Sequence, residues 1–106
     1  VAVDSARFGV NGIDVGLFCA TPSVPLVRNM LPKPALEMLL TGGFISADEA
    51  RARGLVNRVV AADQLDAAVD ELVAAILAKP RAAIAAGVNM MTWLAVAFSA
   101  AGVPSR

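Results

Sequence analysis

The chain has 106 residues, enough for one domain with a modest core. Nine basic residues cancel nine acidic ones, so no net field draws the chain to nucleic acid or to an anionic membrane. Histidine is absent and Cys19 is the lone cysteine, which excludes an internal disulfide, histidine acid/base chemistry and a zinc ligand set.

Apolar residues make up 58% of the chain, above the roughly 45–50% usual for soluble domains. Such a surplus points to faces that expect a partner: another segment, another subunit or a membrane. The single thiol suits a reducing compartment, and the cytoplasm is the expected location.

Val1–Asp4 alternates apolar with small or polar residues and is predicted as a short strand. It has no basic region leading into a long apolar stretch, so it is not expected to be a signal peptide. A chain that opens inside a strand is expected to be a fragment or a truncated reading frame. Ser5–Gly16, punctuated by Gly9, Gly12 and Gly16, is predicted as a loop with one more short strand at Arg7–Phe8. Thr21-Pro22 predicts a helix start, with Thr21 as cap, Pro22 at the first helical position and Pro25 still in the first turn; the helix is expected to run to about Met30. Pro34 is expected to open the next helix, which holds Leu36, Met38, Leu39 and Leu40 and stops at Thr41-Gly42-Gly43.

Ser46-Ala47-Asp48-Glu49 is a capping box, Glu49 and Arg53 are spaced as an i,i+4 ion pair, and Gly54 ends this short helix. Leu55–Val60 is predicted as a compact apolar strand. Asp63 is expected to cap a helix to about Ala78, with Leu65, Val69, Leu72, Val73 and Ile76 forming one apolar stripe and Asp66, Asp70 and Glu71 facing water. Lys79-Pro80 separates it from a last helix over about Arg81 to Ala100. From Ala82 to Ser105 no residue is charged. A frame change accounts for such a tail, as does a buried or aggregation-prone helix; a weakly inserting membrane segment is the less favoured reading.

Three stretches in fixed order resemble the enoyl-CoA hydratase/isomerase (crotonase) family. Ala6-Arg7-Phe8-Gly9 followed by Val15-Gly16-Leu17 is similar to the family's A-x-F-x-x-P-E-x-x-x-G segment, which borders the acyl pocket. Ala35-Leu36-Glu37-Met38-Leu39-Leu40-Thr41-Gly42 resembles its A-x-E-M-x-L-T-G helix and cap. Ile45-Ser46-Ala47-Asp48-Glu49-Ala50, continued by Gly54-Leu55-Val56-Asn57-Arg58-Val59-Val60, resembles I-S-A-x-E-A-x-x-x-G-L-V-N-x-V-V. The run Gly16–Pro22 is nearest to one subfamily.

The resemblance implies an α/β spiral of the crotonase/ClpP-like type, present here as its C-terminal portion, mostly helical with two or three short strands. Residues 1–81 then form a partial crotonase domain, and residues 82–106 an atypical apolar helix and tail. It implies enolate stabilisation on acyl-CoA thioesters in fatty-acid metabolism, with coenzyme A entering only as part of the substrate and no other cofactor. In the family the complete protein is a homotrimer or hexamer.

What the resemblance leaves in this chain is a pocket wall: Phe8, Gly9, Gly12, Leu17 and Phe18. The family's two oxyanion-hole amides, which usually supply the largest catalytic contribution, and its first glutamate belong to segments before Val1. Its second glutamate falls at Gly12, which has no proton to give or take. Asp14 is a substitute acid/base candidate, though a solvated loop carboxylate or a cap is the plainer reading of one unpaired acid. Asn11 beside Gly12 suits turn chemistry, and Cys19, with no histidine to activate it, suits a small buried residue. Arg28 and Lys33 are candidate phosphate contacts or, more simply, solvated cations. Two functions follow: an acyl-CoA enzyme whose 106 residues are inactive alone, or a non-enzymatic helical module that associates with crotonase-type trimers.

Overall fold

The computed structural model describes residues 1–100, with side chains described for residues 1–92. They fall into two compact units, Val1–Asp66 and a second beginning at Ala67.

The first unit contains four two-residue strands: β1 (Ala2–Val3), β2 (Arg7–Phe8), β3 (Ile45–Ser46) and β4 (Val59–Val60). β1 runs parallel to β4, with Ala2 opposite Val59 and Val3 opposite Val60, while β2 runs antiparallel to β3, with Phe8 opposite Ile45. A parallel pair needs a long crossover, and here three helices lie between its strands: α1 (Ala20–Asn29), α2 (Pro32–Thr41) and α3 (Ala47–Ala52). Leu26, Met30, Ala35, Met38, Leu39, Ile45 and Ala50 form the core cluster. Ala35, Met38 and Leu39 come from one face of α2, as helical spacing requires. Ala47 and Ala50 are wholly buried, their small side chains letting the α3 backbone sit close to its neighbours.

Several local expectations hold. The Ser46 hydroxyl accepts from the Glu49 N–H at 3.1 Å, and the Glu49 carboxylate accepts from the Ser46 N–H at 3.0 Å, completing the capping box. Gly42 closes α2 in the left-handed region at φ 69°, donating to the Met38 carbonyl. Gly54, at φ 87°, follows α3.

Other expectations need correction. The Cys19 carbonyl accepts the first helical bond of α1, from Ser23, so Cys19 occupies the cap position; Thr21 is already helical and Pro25 sits in the second turn. α2 opens at Pro32, because the Leu31 carbonyl accepts from Ala35 and both Pro32 and Pro34 fall where a missing N–H costs little. Asn11–Val15 winds into a 3-10 turn instead of an open loop. The predicted strand at Leu55–Val60 shrinks to Val59–Val60, since the Leu55 and Val56 N–H groups donate back to the Ala50 carbonyl and are lost to a sheet. The ion pair on α3 joins Asp48 to Arg51 at 3.9 Å, Glu49 being engaged in the cap. Asp63 lies inside a 3-10 turn, Ala62–Gln64, and the helix starts after it.

That helix is α4 (Leu65–Leu77), followed by α5 (Arg81–Ala100). α4 carries the predicted stripe, with Leu65 and Leu72 half-buried and Val69, Val73, Ile76 and Leu77 exposed. Asp66, Asp70 and Glu71 are exposed as expected. Ile76, Leu77, Ile84 and Ala85, with Lys79 and Arg81, line an open apolar hollow of about 520 Å³ between the end of α4 and the start of α5. Among the described residues no helix is long and apolar enough to cross a membrane. The side chains of the apolar run Trp93–Phe98 and the tail Gly102–Arg106 lie outside the described residues.

Candidate functional site

The wall predicted from sequence begins where β2 pairs with β3. Phe8 is half-buried and packs against the core cluster, serving the interior as much as any pocket. Gly9 is exposed, and a Cβ built on it would stand 2.6 Å from the Phe44 ring, so glycine is what lets that ring settle there. The Arg7 guanidinium lies 4.9 Å from the centroid of the same ring, a cation–π contact.

The chain then winds through the 3-10 turn and leaves it at Gly16, whose φ of 81° is left-handed. The Gly12 carbonyl accepts from the Leu17 N–H at 2.9 Å, and the Gly12 N–H donates to Cys19 Sγ at 3.3 Å. A Cβ on Gly12 would lie 2.7 Å from both Cys19 Sγ and the Leu17 carbonyl oxygen. Leu17 and Phe18, just beyond, are 67% and 48% exposed. The structure thus brings Gly12, Leu17 and Cys19 together, with Phe18 alongside in sequence, and leaves Leu17 and Phe18 as outward hydrocarbon.

Asp14 turns elsewhere. Its carboxylate lies over Gly42, at the C-terminal end of α2, close enough that a Cβ on Gly42 would stand 2.5 Å from Oδ1. Asn11 is exposed at the start of the 3-10 turn, and Arg28 and Lys33 are exposed on α1 and α2. Among the described residues no group of three or more His, Cys, Asp or Glu is placed to hold a metal ion.

Two features have no counterpart in the sequence reasoning. One is the Arg7–Phe44–Gly9 contact, which borders a hollow of about 170 Å³ lined by residues including Glu37, Phe44, Glu49 and Arg53. The other is the thiol over Gly12. Strand pairing aligns the first and a seven-residue reach makes the second; neither leaves a periodic signal.

Short strands crossed by three packed helices, with a glycine-pinned apolar wall, define an α/β unit of the crotonase type. The structure superposes on enoyl-CoA hydratase from Mycobacterium smegmatis with a TM-score of 0.83 and 54% identity, over 85% of this chain and 35% of that one. It matches human enoyl-CoA hydratase domain-containing protein 3 with a TM-score of 0.68 and 43% identity, over 70% of this chain and 29% of that one. The mitochondrial enoyl-CoA hydratase domain-containing protein 3 of Mus musculus is 45% identical over 82% of this chain and 29% of its own length. The family model for enoyl-CoA hydratase/isomerase matches residues 1–96, and the chain belongs to that family. It resembles the domain-containing protein 3 subfamily, and it spans about a third or less of the length of each of these relatives.

Proposed function

We propose that this chain forms the acyl-pocket wall of a protein that acts on acyl-CoA thioesters by stabilising an enolate, and that the 106 residues do not turn substrate over by themselves. The observation that carries this reading is the family match over residues 1–96 combined with a wall on which position 12 holds no side chain. Enolate formation needs a base for the α-proton and fixed donors for the thioester oxygen. Leu17 and Phe18 offer apolar surface for an acyl chain, while the exposed Asp14 carboxylate lies beside Gly42 at the end of α2. The base and the amide donors belong, on this reading, to polypeptide of the whole protein beyond these residues, with coenzyme A bound only as part of the substrate and a trimer or hexamer as the working assembly. A lone thiol supports a reducing compartment such as the cytoplasm.

Two measurements test the proposal. The purified chain is expected to leave crotonyl-CoA unhydrated, and hydration by it overturns the inactivity. Co-expressed with the complementary part of the Mycobacterium smegmatis relative, it is expected to bind hexanoyl-CoA; no binding by a well-folded complex overturns the thioester reading.

A second reading has one observation in its favour. The exposed Val69, Val73, Ile76 and Leu77 on α4 suit a non-enzymatic helical module that joins crotonase-type trimers. Co-elution with a full-length homologue in size exclusion, without any gain in acyl-CoA binding, is its expected signature.

A further inference from the structure

We propose that Cys19 is a positioning residue that helps close position 12 to a side chain, so that the wall at Gly12, Leu17 and Phe18 carries backbone and hydrocarbon only and chemistry done against it takes its acid and base from elsewhere. The geometry of closure is explicit. Both backbone groups of Gly12 are taken by the short segment that follows it, the carbonyl by the Leu17 N–H at 2.9 Å and the N–H by Cys19 Sγ at 3.3 Å. The space where a side chain would begin is filled by the same two partners, each 2.7 Å from an ideal Cβ. Backbone conformation does not explain the glycine. The glycines with positive φ among the described residues are Gly16, Gly42 and Gly54, so Gly12 is demanded by crowding alone.

Cys19 is itself held at two points. Its carbonyl accepts from Ser23 as the first bond of α1, and its side chain packs on the core cluster. Turning the sulfur aside would give up its packing on the core cluster, and a carboxylate at position 12 would require both the sulfur and the Leu17 carbonyl to move.

The link from this wall to thioesters rests on the function proposed above, but the closure does not, and the two fail separately. In the full chain, the Gly12 amide is expected to exchange with solvent deuterium about tenfold faster in Cys19→Ala than in the unmodified protein, the change expected for loss of one hydrogen bond. Cys19→Ser, which keeps an acceptor, is expected to restore most of the protection. Gly12→Ala is expected to lower Tm by less in the Cys19→Ala background than in the unmodified one, because one of the two obstructions is gone. Equal Gly12 exchange in the unmodified and Cys19→Ala chains overturns the proposal, as does a Gly12→Glu chain that melts at the unmodified temperature. Loss of hexanoyl-CoA binding in the complex would strike the thioester reading and leave the exchange result standing.

Discussion

Helices α2 and α4 carry apolar residues at the same kind of spacing, yet they end differently. α2 buries Ala35, Met38 and Leu39 against α1, β3 and α3, while α4 has no fully buried residue and shows Val69, Val73, Ile76 and Leu77 to solvent. The difference separates two things that an amphipathic pattern is often taken to mean together. Periodicity is enough to form a helix with one apolar face. Whether that face contributes to stability depends on what packs on it, because most helical stability comes from tertiary contact and little from propensity. The first unit holds its own partners for α2; the second, among its described residues, leaves the α4 stripe as an open surface.

Substitutions can break this contrast. Leu39→Ala, at a site 2% exposed, is expected to destabilise the first unit by about 2–5 kcal/mol in urea unfolding; a much smaller loss would mean the core is loosely packed. Gly42→Ala meets both a left-handed backbone and the Asp14 carboxylate, and about 1–2 kcal/mol is expected, part of it returned when Asp14→Ala is added. Ser46→Ala removes one arm of the capping box, and a drop of about 1 kcal/mol with faster exchange at the start of α3 would register it. The smallest effect is expected at Ile76→Ala, within about 0.5 kcal/mol by circular dichroism melting, because its side chain already meets water. A loss there comparable to that of Leu39→Ala would show that the stripe is covered in solution and would abolish the contrast.

Much of the first unit was legible because its signals are short and local. The capping box of Ser46 and Glu49, the stop at Gly42 and the strand at Arg7–Phe8 each follow from a few neighbouring residues. The misassignments share a cause as well. Leu55 and Val56 have strand composition, but their N–H groups are claimed by the end of α3, and Thr21 has cap chemistry two residues too late because the Cys19 carbonyl starts the helix. In both cases the backbone hydrogen bonds decided the boundary, and residue type does not report where those bonds go. The candidate site follows the same rule. That position 12 lacks a carboxyl group is plain from its identity; that nothing else fits there emerges only once the Cys19 sulfur and the Leu17 carbonyl are located.

The parallel pairing of β1 with β4 also bears on how the first unit folds. Within these residues Ala2 and Val3 pair with Val59 and Val60, and three helices lie between the two strands. Distant pairings of this kind slow folding and leave a strand edge unpaired meanwhile. The first unit therefore closes only when residues far apart in sequence meet, a contact that no local helix signal supplies.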